Sequence, residues 1–129
     1  MKIAGVTPVK QTIAQFSRNN QAASGDVSYS GLGFSPNAMF VIAYLPDTSA
    51  MSIAFVSGST VLEVIDMSAG GNPSKYNAGG YFAYLMPSAG NAQTAILKSI
   101  DDDGFTLTWT KAGSPPAGTI YIDVCAFRF

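Results

Sequence analysis

The sequence has no histidine, a single cysteine and few charges, and each shortage removes a class of function. Without histidine there is no imidazole base, no Ser-His or Cys-His nucleophile pair and no histidine ligand for zinc. Cys125 is alone, so no intrachain disulfide can form. Its place in an apolar terminal strand predicts a buried thiol that packs as a small hydrophobe. Seven Lys/Arg against eight Asp/Glu leave a net charge of −1. That balance offers no general attraction for nucleic acid or for an acidic membrane surface, and neither is expected as a partner. Long hydrophobic runs are also missing. The longest, Ala38–Leu45, has eight residues, against roughly 20 for a membrane helix. Thr7, Pro8 and Lys10 interrupt any h-region of a secretory signal near the start, so the chain is expected to be made and used without Sec export.

What is present suits one all-β domain. The 129 residues carry thirteen glycines and seven prolines that punctuate short apolar runs. The stretch Gly25–Pro46 organises the rest: a strand in which Val27 and Tyr29 alternate with Asp26, Ser28 and Ser30, then a corner at Gly31-Leu32-Gly33, then Ala38–Tyr44. This last run is apolar on both faces, the signature of a strand buried between two layers. Met51–Val56, Thr60–Asp66, Tyr81–Met86, Ala92–Ile100, Phe105–Lys111 and Thr119–Phe129 read as further strands. Asp101–Gly104 turns the clearest hairpin, and Thr106, Thr108 and Thr110 form a threonine ladder opposite Phe105, Leu107 and Trp109. About eight or nine strands at this spacing predict an antiparallel two-sheet β-sandwich, with the jelly roll as one topology open to it.

Met1–Ser24 differs in composition and is expected to be an N-terminal arm on a sandwich spanning 25–129. It holds three of the seven basic residues, Lys2, Lys10 and Arg18, and no acid, whereas the remainder has four basic and eight acidic residues. Val9–Phe16 is compatible with a strand, Lys10–Arg18 with a short helix, and Ser17–Ser24 with a flexible link. Lys2, Ile3, Val6, Val9, Lys10, Ile13, Phe16 and Arg18 are the residues with which such an arm would dock on an acidic neighbour, adding a strand to its sheet edge. The competing reading has the arm pairing within its own sheet.

No catalytic constellation stands out, and no metal or cofactor is expected. The Asp101–Asp103 run lacks the alternating ligand spacing of a calcium loop and sits where a hairpin needs a polar turn. Gly31-Leu32-Gly33 lacks the third glycine and following helix of a dinucleotide loop. Glu63 and Asp66 fall on opposite faces of one strand, unlike a glycosidase pair. The one recognition candidate is the long aperiodic stretch Met67–Gly80 and its flank. There Tyr76 or Tyr81 would stack on a sugar, with Asn72, Lys75 and Asn77 as hydrogen-bonding groups. A plain surface loop is the competing reading.

Two stretches together resemble a known group. Tyr29-x-Gly31-x-Gly33-Phe34-x-Pro36, within GDVSYSGLGFSPNAMFVIAY, is similar to the opening of small β-sandwich domains in virion proteins of tailed bacteriophages. Gly104-Phe105-Thr106-Leu107-x-Trp109 and the terminal strand ending Ala126-Phe127-Arg128 resemble their closing half. Such domains occur in capsid decoration (cement) proteins and in tail-fibre tips, some of which look like the H-type lectin sandwich. The resemblance implies a structural protein on the virion surface, made in the host bacterial cytoplasm and not an enzyme. A decoration protein bracing the capsid lattice is the first expectation. A receptor- or glycan-binding tail-fibre tip, with a host surface glycan as partner, is the alternative. A homotrimer docked on the major capsid protein or another virion protein is the assembly expected, since so uncharged a surface is poorly suited to a monomer.

Overall fold

The structure, a computed structural model, describes residues 9–67, 73–76 and 80–129. The described residues form ten strands, β1 (Lys10–Asn19), β2 (Gly25–Ser30), β3 (Ala38–Tyr44), β4 (Met51–Ser57), β5 (Thr60–Met67), β6 (Pro73–Tyr76), β7 (Tyr81–Ser88), β8 (Asn91–Asp101), β9 (Gly104–Ala112) and β10 (Thr119–Arg128). No helix occurs among the described residues. The strands form two antiparallel sheets, one of six in the order β1-β10-β3-β4-β5-β6 and one of four in the order β2-β9-β8-β7. The all-β sandwich read from the sequence is therefore what the chain adopts. The first two strands pair with the last two, β1 with β10 and β2 with β9, in opposite sheets. Between them β3–β6 form a meander in one sheet and β7–β9 a meander in the other, so a jelly-roll order does not extend to the central strands.

Alternation fills the space between the sheets. From the six-stranded sheet come Met39, Val41, Ala43, Ala54, Val56, Ile120, Ile122, Val124 and Ala126, all buried. The four-stranded sheet answers with Tyr29, Phe82, Leu85, Ala95, Phe105, Leu107 and Trp109. Ser52 is buried on the inner side of β4, and its Oγ accepts a hydrogen bond from the Tyr84 amide at 3.0 Å, a polar tie between the sheets. The glycine corner after β2 is where the chain crosses from the smaller sheet to the larger. Gly31 and Gly33 take φ of 97° and 85°, a region that L side chains disfavour. Asp103 clasps the corner, its carboxylate accepting from the Gly31 amide at 3.0 Å and the Gly33 amide at 2.6 Å. The acidic run thus serves the β8–β9 turn and its neighbour: Asp101 in turn accepts from Ser99 and Thr106.

The expected N-terminal arm is corrected over its described part. Lys10–Asn19 is neither helix nor detached segment but an edge strand, in register with β10 from Lys10↔Arg128 to Asn19↔Thr119. The physical reason is the alternation Thr12, Ala14, Phe16, Arg18, which turns one side of the strand toward the sandwich. Phe16 packs edge-on against Tyr29 and Phe105, with ring centroids 5.1 and 5.7 Å away. The link after it is also pinned. Asn20 is fully buried, its amide donating to the Gly118 carbonyl at 2.9 Å and its Nδ2 to that of Pro116 at 2.7 Å. Gln93 Nε2 donates to the carbonyls of Asn20 and Ala22, and Ser24 Oγ accepts from the Lys111 amide. Deleting Met1–Asn20 should therefore strip the edge of β10 and open the core. By thermal unfolding, the truncated chain is expected to melt at least roughly 10 °C lower or to aggregate; unchanged melting would contradict this placement.

Candidate functional site

The residues singled out in the sequence do not converge. Of the docking set, Lys2, Ile3 and Val6 lie outside the described residues. Val9, Lys10 and Ile13 are exposed, Ile13 by 82 %. Phe16 and Arg18 turn inward and leave the docking set. The Arg18 guanidinium lies 4.6 Å above the Trp109 ring and donates to Gln93 Oε1 and to the carbonyls of Ala22 and Ala23. Trp109 Nε1 donates in turn to the Tyr29 hydroxyl at 2.9 Å. Partial burial lowers the Arg18 pKa and raises that of Tyr29 above the ordinary phenol value. These are the marks of a structural rivet between β1 and the smaller sheet.

The recognition loop fares similarly. Asn72 and Asn77 lie outside the described residues, while Lys75 and Tyr76 belong to β6, opposite Ile65 and Val64. Part of the stretch expected to be aperiodic loop is thus a short edge strand. Tyr81 is half-buried, packed against the core and edge-on to Tyr84 at 5.2 Å, which removes it as a free stacking platform. Glu63 and Asp66 sit in β5 at the positions opposite Phe55 and Ser52. Among the described residues no group of three or more acidic or cysteine side chains is placed to hold a metal ion. An open cleft of 440 Å³ lies between the turn after β3 and the loop before β10, bounded by Pro46, Asp47, Pro116 and Tyr121 among others.

The two outer surfaces of the sandwich differ sharply in chemistry. On the smaller sheet the outward positions of β2 and β9 are polar, and several are bonded to one another, while Ile96 of β8 is 43 % exposed beside them. Ser28 and Thr106 share a hydrogen bond of 2.8 Å, Thr108 donates to Asp26 at 2.7 Å, and Lys98 pairs with Asp26. On the larger sheet the outward positions form rows rich in apolar side chains across four strands. Register places Ile13, Cys125, Phe40 and Phe55 in one row, Gln15, Asp123, Ile42 and Ile53 in the next, and Ser17, Tyr121, Tyr44 and Met51 in a third. Phe40 and Phe55 meet at 4.9 Å, Tyr44 and Tyr121 stack at 5.7 Å, and Phe127 stacks on Phe129 at 5.8 Å. Asp123 is the one acidic or basic side chain in these three rows, and Gln15 Nε2 donates to it at 2.8 Å. Leu62, the extra residue of a bulge in β5, is 53 % exposed beside them.

This face is the candidate site that residue-by-residue inspection of the sequence missed. Its signal was present: β3 and β10 are apolar on both sides. The expectation that Ala38–Tyr44 is covered by two layers holds for one side only. Met39, Val41 and Ala43 face the core, while Phe40, Ile42 and Tyr44 are half-buried among their own neighbours, with no layer above them among the described residues. Cys125 is likewise partly exposed on this face instead of buried, because Val124 and Ala126 take the inward positions on either side.

Two measurements check these polar networks. Arg18→Ala is expected to cost about 1–2 kcal/mol in urea unfolding, with Arg18→Lys recovering only part, since an ammonium cannot reproduce the planar fork. Hydrogen bonds from Lys98 and then Thr108 hold Asp26 below the usual carboxylate range, and those from Thr106 and then Ser99 do the same for Asp101. Lowered folded values mean that this stabilisation is present above the unfolded pKa, about 3.9, and is lost as pH falls through the folded values. The urea midpoint should be flat near neutrality and fall below about pH 4, with a shallower fall in Asp26→Asn. An equally steep fall in that variant would contradict the assignment.

Comparison with protein-family models, with curated proteins and with solved structures finds no match to this chain.

Proposed function

We propose that the chain is a structural subunit of an assembly, and specifically a surface protein of a tailed-bacteriophage virion that decorates the head and braces the capsid lattice. The observation that carries the structural reading is the outer face of the six-stranded sheet: over β1, β10, β3 and β4 it is largely aromatic and aliphatic, carries one charged side chain in its three rows, and has no layer above it among the described residues. A monomer would leave that apolar surface in water, and protein-protein interfaces favour such aromatic, charge-poor patches. The virion assignment draws its support from the resemblance of the two motif stretches. Tyr29, Phe105 and Trp109 of those motifs are buried and Gly31 and Gly33 have positive φ, so the likeness concerns how the sandwich is built. A homotrimer is the proposed stoichiometry. Docking on the major capsid protein would use the exposed edge of β1 at Val9, Lys10 and Ile13 together with the residues before it.

Antibody-gold labelling of virions in negative stain tests the proposal. Label distributed over the head is the expected result. Label confined to the tail tip would replace decoration by receptor or glycan binding. Particles free of label would overturn the virion assignment.

A further inference from the structure

The cleft at one end of the sandwich is used neither by the β1 edge nor by the outer face of the larger sheet, and its chemistry is of another kind. One wall is the turn that joins β3 to β4; the other is the loop that leads into β10. Both walls are held from within. In the turn, Thr48 Oγ1 donates to the Leu45 carbonyl at 2.7 Å and accepts from the Ala50 amide at 3.1 Å. The Leu45 amide donates to the Ala50 carbonyl at 3.1 Å. In the loop, the fully buried Asn20 holds the Pro116 and Gly118 carbonyls, and Gln21 Nε2 donates to that of Pro115. The two walls touch where Gly118 meets Leu45: a Cβ added to the glycine would lie 3.0 Å from Leu45 Cδ1. A cleft fixed in this way needs little ordering before a ligand enters, and its 440 Å³ is within the range of small-molecule sites.

Asp47 sets the chemistry. It is the one non-glycine residue with positive φ among the described residues, at 63°. Glycine takes that conformation more readily, so the turn itself does not call for a carboxylate. No hydrogen bond or ion pair engages the Asp47 side chain among the described residues. Asp26, Asp101, Asp103 and Asp123 all serve internal hydrogen bonds instead. The other side of the cleft contributes Thr119 and Tyr121, whose hydroxyls have no partner among the described residues. Stacking on Tyr44 sets the place of the Tyr121 ring. Pro46 and Pro116 add one apolar surface from each wall.

These groups discriminate between ligand classes. Lysine and arginine are missing from the lining, so a phosphate or carboxylate would meet Asp47 as a like charge. A basic side chain of a partner would satisfy Asp47 alone. Ammonium and guanidinium groups only donate, which leaves the hydroxyl hydrogens of Thr119 and Tyr121 unmatched, and an exposed ion pair contributes little. A neutral sugar ring engages every group at once. Adjacent hydroxyls donate to the carboxylate in charge-assisted bonds, while other ring substituents accept from Thr119 and Tyr121. The C–H face of the ring packs on the tyrosine and the prolines. We infer that this cleft is a binding site for a neutral pyranose of a surface saccharide, with Asp47 as the orienting acceptor. Such a site goes beyond the proposed function and stands equally on a head or a tail protein.

Amide chemical shifts of the isotope-labelled full chain test it. The probes are the methyl glycosides of glucose, galactose, mannose and N-acetylglucosamine at up to about 50 mM, well above a millimolar dissociation constant. At least one is expected to shift the amides of Asp47, Thr48, Gly118, Thr119 and Tyr121 saturably, with those of Ser28, Thr106 and Thr108 on the smaller sheet unmoved. Asp47→Asn, whose side chain tolerates the same φ, should keep the fold and weaken that glycoside at least about tenfold, because a neutral amide replaces the charged acceptor. Should this variant lose its folded spectrum, Thr119→Val at an exposed position takes its place, with an expected loss of about threefold or more. Inorganic phosphate and N-acetyl-arginine amide represent the competing classes and should leave the same amides unmoved. Absence of a saturable shift with every glycoside would overturn the inference, as would an unchanged midpoint in the variant. Saturable shifts of these amides by phosphate or by the arginine compound would overturn the neutral-ligand assignment as well.

Discussion

Phe105 holds the sandwich together. Its ring lies at the meeting of four strands and both sheets, 5.7 Å from Phe16 on β1, 5.3 Å from Tyr29 on β2 and 5.0 Å from Phe82 on β7. Edge-on and offset contacts of this kind contribute beyond simple burial, because the positive ring edge meets the negative ring face. Everything that closes the fold passes close to this cluster. The glycine corner brings the chain from β2 toward β3, Asp103 two residues before Phe105 clasps that corner, and the β8–β9 turn supplies both. One aromatic residue therefore couples the crossing between layers, the tightest hairpin and the N-terminal strand.

Pairing the first two strands with the last two makes the ends of the chain structural. β1 lies against β10 and β2 against β9, so residues 74 to 118 positions apart form continuous ladders. Non-local pairing of this kind has a large loop-closure cost in folding. The cost is offset by burial of Phe16, by the Arg18–Trp109 contact and by the hydrogen bonds that hold Asn20 and Gln93. Arg18 shows why charge alone is a poor guide to role. In the sequence it belongs to a basic N-terminal segment; in the fold its guanidinium sits on an indole face, where cation–π attraction and backbone carbonyls replace water.

The two outer faces then separate the molecule's chemistry. The smaller sheet turns mostly hydroxyls and paired charges outward, with Ile96 among them, and the larger turns mostly phenyl, phenol and aliphatic groups outward, with Gln15, Ser17 and Asp123 among them. A surface divided in this way supports the reading in which the larger sheet's outer face is covered in an assembly. That division is the feature of the fold on which the proposed function rests.

By itself the sequence determined most of the strands, β1 and β6 excepted. Alternation in Gly25–Ser30 and Phe105–Thr110, the Asp-Gly turn and the glycine corner each depend on neighbours two to four residues away, so they are legible in the linear chain. It also determined that β3 and β10 carry apolar residues on both sides. Tertiary structure alone decided which of those sides meets the core, because that depends on register and layer order, and a shift of one residue would exchange Phe40, Ile42 and Tyr44 with Met39, Val41 and Ala43. It decided too that Lys10–Asn19 joins the sheet, since an edge strand is recognised by what lies beside it, and its neighbour β10 arrives only at the far end of the chain.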